Sequence, residues 1–134
     1  PPRSTPLYSS QRQMCIRDSS ILVAAVGERP LGIQTSQVAA IARWTHERTK
    51  KPVDLEAHGM RTSAIALMST TLEIKNIRKA ELHGSLRSFK SLIKEGHGAN
   101  KYPELFCFGL LEYFDVPELM KLATVAGKKR IFFK

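Results

Sequence analysis

Apolar positions in the first half of the chain change period twice, and each change marks an element. Val38, Ile41, Ala42 and Trp44 recur at helical spacing. They predict a helix that starts near Thr35 or Ser36, either of which can cap the first turn. That helix stops at Thr49-Lys50-Lys51, because Pro52 disfavours α backbone in the residue before it. Val53 to Ala57 alternates apolar and acidic and predicts a strand. A helix over about Thr62 to Leu72 follows, with Ile65, Leu67, Met68 and Leu72 available for burial.

Ile77 to Leu82 predicts a second strand, ending in His83-Gly84. Leu86, Phe89, Leu92 and Ile93 then line one side of an amphipathic stretch that stops at Gly96. Pro103 suits a first helical position and opens an apolar helix through Phe114. Asp115 reads as the N-cap of a helix from Pro117 to about Thr124, and Lys129 to Phe133 as a third strand. Upstream, the apolar run Ile21 to Val26 closes on Gly27-Glu28-Arg29-Pro30. Strands separated by helices imply parallel pairing through crossovers, so the fold class is α/β. Three parallel strands leave sheet edges open, the mark of a piece cut from a larger domain.

Residues 1–19 follow no such period. Gln11-Arg12-Gln13-Met14-Cys15-Ile16-Arg17-Asp18-Ser19 resembles one reading frame of a sequencing adapter, and Pro1-Pro2-Arg3-Ser4-Thr5 resembles its far end. This prefix is set apart as a disordered adapter-derived segment, leaving residues 20–134 as a partial domain. The division changes the charge picture. Arg3, Arg12 and Arg17 against Asp18 account for two of the nine net positive charges, and the remaining +7 is scattered, clustering only at Lys128-Lys129-Arg130. A nucleic-acid surface concentrates charge and interleaves aromatics. Neither is present, so no nucleic-acid partner is expected. No apolar run reaches membrane-spanning length, so no membrane partner is expected either. With Cys15 in the prefix, Cys107 stands alone in Leu105-Phe106-Cys107-Phe108 as a small apolar residue without a disulfide partner. The sequence fixes no compartment.

Ligands of open parallel sheets bind outside the carboxyl ends of the strands. His58 and His83 fall there, each followed by a glycine and each two residues after a glutamate, Glu56 or Glu81. Two readings stand open for the histidines: crevice residues that meet a substrate, or strand-end residues bonded to backbone. Donors close in sequence are too few for a metal, so neither a metal nor another cofactor is expected. His46 and His97 read as solvated. The turn Gly59-Met60-Arg61-Thr62-Ser63 lies between a strand and a helix, the setting in which a Gly-x-Ser-x-Gly elbow presents a serine nucleophile. Gly59 keeps the first position, Arg61 takes the place of the serine and Ser63 that of the second glycine. Arginine stays protonated and offers no lone pair, so it cannot be the nucleophile. It can bind a carboxylate or an oxyanion. Thr62 and Ser63 read as capping or packing hydroxyls, and no catalytic residue is assigned.

Gly27-Glu28-Arg29-Pro30-Leu31-Gly32, His58-Gly59-Met60-Arg61-Thr62-Ser63, Glu81-Leu82-His83-Gly84-Ser85 and Pro103-Glu104-Leu105-Phe106-Cys107-Phe108-Gly109-Leu110-Leu111 together resemble large bacterial α/β-hydrolases of the acetyl xylan esterase-like kind. The resemblance spans Ile21 to Leu122. It implies a fragment of an α/β-hydrolase three-layer sandwich with about three parallel strands and flanking helices. It also implies a parent that hydrolyses carboxylic esters of carbohydrates, secreted or periplasmic, and a unit within it that has lost the serine. Gly59 then corresponds to the first elbow glycine, Arg61 to the nucleophile position and the Thr62 N–H to an oxyanion donor. The partner expected for this unit is the remainder of its own polypeptide. The alternative is a non-catalytic structural or carbohydrate-binding domain.

Overall fold

The computed structural model describes residues 17–107, 109–124 and 128–134. Residues 17–25 are helical. Arg17, Asp18 and Ser19 therefore belong to a helix, although the sequence pattern assigned them to the aperiodic prefix; residues 1–16 lie outside the described part. Helix α1 follows at Pro30–Thr49, strand β1 at Val53–His58, helix α2 at Met60–Leu72 and strand β2 at Ile77–His83. A short helix α3 (Lys90–Lys94), a 3-10 turn (Pro103–Leu105), α4 (Leu110–Tyr113), α5 (Val116–Leu122) and β3 (Ile131–Phe133) complete the chain. The three strands form one parallel sheet in the order β1-β2-β3. No helix among the described residues is long and apolar enough to cross a membrane.

Helix α1 begins at Pro30, five residues before the expected cap at Thr35. Proline presets the backbone torsion of a first turn and has no N–H to satisfy, so a start without a side-chain cap is tolerated there. Thr35 is instead fully buried, in a stripe with Leu31, Ala39 and Ala42. Ile41 and Trp44, on another side, are exposed. The apolar period found the helix, and of its four positions Ala42 is buried and Val38 half-buried while Ile41 and Trp44 face outward. Small residues set that face because α1 packs closely on α2, where the Ser69 hydroxyl donates to the Thr35 carbonyl at 3.2 Å. The helix ends as predicted before Pro52, with Lys50 in the left-handed region at φ 56°.

Helix α2 covers both β1 and β2. Its buried hydroxyls turn back on their own helix, Ser69 to the Ile65 carbonyl (2.8 Å) and Thr70 to that of Ala66 (2.7 Å). That pairing lets Ser and Thr sit in a core without orphaned donors. Leu72, expected to be buried, is exposed. The predicted helix from Pro103 to Phe114 is broken, since Gly109 at φ 83° cannot continue one. Asp115 caps α5 as predicted, in a capping box with Glu118. Its Oδ1 also accepts from the Phe89 N–H at 2.7 Å, joining the starts of α3 and α5.

Ala57, Ala80, Leu82 and Ile131 point into the core with Leu31, Leu67, Leu92, Leu105 and Leu119. The opposite face of the sheet carries Asp54, Glu56, His58, Lys79, Glu81, His83, Phe132 and Lys134, none of them buried. Among the described residues the molecule therefore has two layers, a sheet and its helices, where three were expected. A parallel sheet is normally covered on both faces and apolar on both. Here alternation along β1 and β2 makes one face charged, and among the described residues nothing covers it.

Candidate functional site

The carboxyl ends of β1 and β2 bring the two sequence-predicted histidines side by side. The parallel register sets Glu56 opposite Glu81 and His58 opposite His83. The imidazoles stack with centroids 4.4 Å apart and planes inclined by 15°. Both turn their Nε2 atoms toward Glu56, whose Oε1 lies 3.1 Å from His58 and 3.4 Å from His83. Because successive strand residues alternate faces, Glu56 and His58 share the open face of the sheet. A carboxylate only accepts, so the His58 Nε2–H donates to it. The His83 Nε2 is shielded from solvent and makes no hydrogen bond at its angle to Glu56. Among the described residues neither histidine ring is bonded to backbone, which speaks against the second of the two sequence readings.

Glu81 does not join this group. Lys134 and Lys79 grip its carboxylate, Lys79 Nζ at 2.9 Å and Lys134 Nζ at 2.5 Å. Hydrogen bonds from Lys134 and then Lys79 hold its pKa at about 2.

Gly59 carries the chain from β1 into α2 at φ 93° and donates its N–H to the His83 carbonyl at 2.8 Å. This bond ties the two strand ends together behind the histidines. Arg61 already belongs to the first turn of α2 and is not held in the strained conformation of a nucleophile elbow. Its Nε lies 2.5 Å from Glu104 Oε1 and its NH2 donates to the Lys101 carbonyl at 2.5 Å. The guanidinium also lies 5.3 Å from the Tyr102 ring centroid. The carboxylate that Arg61 binds is thus the chain's own Glu104, whose side chain is only 7% exposed. Thr62 Oγ1 donates to the His58 carbonyl at 2.5 Å. Ser63 is fully buried, its Oγ 3.5 Å from the His83 carbonyl.

The structure therefore splits the predicted residues into two sets. His58 and His83 converge with Glu56 on the open face, while Arg61, Thr62 and Ser63 are tied into the scaffold. Sequence reasoning missed Glu104, which no local pattern links to Arg61. The signal available was the rarity of a buried glutamate without a cation. His46 bonds the Lys51 carbonyl (3.0 Å) at the end of α1, and His97 pairs with Glu95 (3.0 Å), both away from the strand ends. Cys107 lines an apolar hollow with Phe89, Leu92, Leu105 and Leu110 that holds none of the predicted site residues, and burial pushes its thiol pKa up. Comparison with protein-family models, curated proteins and solved structures finds no match for this chain.

Proposed function

We propose that this chain is a non-catalytic α/β-hydrolase-like unit of a protein that hydrolyses carboxylic esters of carbohydrates. The observation that carries the non-catalytic part is the use of every candidate at the turn. Arg61, at the nucleophile's place, is committed to Glu104 and the Lys101 carbonyl. Thr62 bonds back to the His58 carbonyl, and Ser63 has no exposed surface. A hydroxyl nucleophile needs a base within hydrogen-bond reach and a path to substrate. Both nearby imidazoles direct Nε2 at Glu56. The ester-hydrolase part rests on the sequence resemblance, with the parallel β1-α2-β2-β3 framework in support. In this reading, catalysis belongs to the remainder of the polypeptide.

Fluorophosphonate labelling of the intact polypeptide, followed by peptide mapping, tests both parts. The expected label falls on a serine outside this segment. A label on Thr62 or Ser63 would overturn the non-catalytic assignment. No label anywhere, with no hydrolysis of acetylated xylan, would overturn the ester-hydrolase assignment and favour a binding or structural domain.

A further inference from the structure

We propose that Glu56, His58 and His83 form a binding site for a divalent transition-metal ion of the zinc type. The donor atoms of the three side chains all lie within 4.8 Å of one another. Glu56 Oε1 is 3.1 Å from one Nε2 and 3.4 Å from the other. Bonds of about 2.0–2.2 Å to a tetrahedral zinc place neighbouring ligand atoms about 3.3–3.5 Å apart. The 3.4 Å separation already matches, the 3.1 Å one is slightly short of it, and all three fall within 4.8 Å, so side-chain rotation brings the set to zinc spacing.

The backbone builds the group independently of any ligand. In a parallel register, His58 and His83 are directly opposed, and the hydrogen bond from Gly59 to the His83 carbonyl locks the two ends together. Glu56, one pleat back on the same face, supplies the third donor. Two imidazoles and one carboxylate are the donor set that suits zinc and its neighbours; hard cations such as Mg²⁺ prefer oxygen ligands.

A second observation points the same way. The His83 Nε2 is screened from solvent yet makes no hydrogen bond, although it faces a carboxylate oxygen. Buried polar atoms are normally satisfied, and a cation between the three donors would satisfy this one. On metal entry both rings take the Nδ1–H tautomer, freeing the Nε2 lone pairs, so the imidazoles bind neutral. His58 and Glu56 are mostly exposed, at 68% and 62% of their side-chain surface, which leaves the fourth position open to water or a ligand. Glu81 is excluded because Lys79 and Lys134 neutralise it. The site does not depend on the ester-hydrolase reading.

Isothermal titration of the whole chain with Zn²⁺, with Mg²⁺ as the hard-ion control, tests the proposal. One equivalent of Zn²⁺ should bind, with Mg²⁺ showing no heat. His58→Ala, His83→Ala and Glu56→Gln should each weaken Zn²⁺ binding by at least about tenfold, given that even outer-shell changes reach that size. His97→Ala and Glu81→Gln should leave it unchanged. Exposure of His58 and Glu56 means that their variants keep the fold, which circular dichroism verifies. In an NMR titration, Zn²⁺ should shift the ring signals of His58 and His83 and spare His46 and His97. Binding that survives loss of Glu56 and of both histidines, uniform shifts of all four rings, or absence of Zn²⁺ binding by the folded chain would each overturn the proposal.

Discussion

Glu56 and Glu81 occupy the same place in two Glu-x-His-Gly strand endings and face each other across the β1–β2 register. Their surroundings differ because β1 is an edge strand and β2 is central. β3 places Lys134 beside Glu81, and Lys79 approaches from two residues back on the same strand. Among the described residues Glu56 has no such neighbour and turns to the two histidines. A third instance, Glu95-Gly96-His97-Gly98, lies in the turn after α3. There the pair forms at 3.0 Å, but no opposed strand supplies a second histidine, and the His97 ring meets the edge of Tyr102. Identical local spelling thus yields a neutralised anion, a convergent donor set and an isolated pair. Neighbouring strands decide which.

The sharpest test of the edge-versus-centre contrast is in the core. Leu82, fully buried in β2, should lose about 2–5 kcal/mol on replacement by alanine. Leu55→Ala on half-buried β1 should cost clearly less, and urea unfolding of the two variants compares them directly. Equal losses would erase the difference between the strands.

The turns behind the two histidines differ next. Gly59 leads into a helix clamped by the Arg61–Glu104 ion pair, whereas the turn after Gly84 is held by the Ser85 hydroxyl, which donates to the Leu86 carbonyl, and by Arg87 lying over the Phe133 ring. Removing one member of a buried ion pair costs roughly 3–5 kcal/mol. Arg61 is more than a third exposed, so Arg61→Ala should cost about 2–3 kcal/mol after solvent screening. Glu104→Gln on the Arg61→Ala background should recover part of the loss. No recovery in thermal melts would show that Arg61 acts by packing alone.

The glutamates themselves separate by acid titration. Glu81 is held at about 2, below the roughly 4.3 of an unfolded glutamate, so it stabilises the fold above that range. This contribution is lost as pH falls from about 4.3 toward 2. Lys134→Met should raise the Glu81 midpoint and narrow that window, read by carboxyl NMR. Asp54, lowered by the hydrogen bond from Arg78, and Asp115, also lowered, are acidic carboxyls as well, so residue-level detection is needed. In Asp115, hydrogen bonds from Ser88 and the Phe89 and Val116 N–H groups outweigh the upward push of burial.

The smallest effect concerns the base of the same two strands. Arg78 grips Asp54 with two nitrogens, its Nε at 2.9 Å, but both side chains are exposed enough for water to screen them. Asp54→Asn should cost less than about 1 kcal/mol. A larger loss in urea unfolding would mean that this pair, and not the core, fixes the register next to the bulge at Val53 and Asp54.

Much of the framework was legible in the chain. Alternation located β1, Pro52 ended α1, and Asp115 announced α5, because each signal acts over a few residues. The buried face of α1 was only partly legible for the opposite reason. Helical spacing offered Val38, Ile41, Ala42 and Trp44, but close packing against α2 kept Ala42 and added Leu31, Thr35 and Ala39. The site was half legible. His58 and His83 could be placed at strand ends, since strands and glycines mark them. Their convergence on Glu56 could not, since it depends on which strands pair and in what register.

Taken alone, the sequence determined that this is an α/β chain with two Glu-x-His-Gly endings and an arginine where an elbow serine could stand. Alternation, proline and capping chemistry are local, and they are written in neighbouring residues. Tertiary structure decided the rest: that Arg61 is spent on Glu104, that the described helices pack on one face of the sheet, and that Glu56 rather than Glu81 meets the histidines. Those outcomes depend on contacts between residues far apart in the chain. Burial and charge there are set by whichever strand or loop arrives alongside.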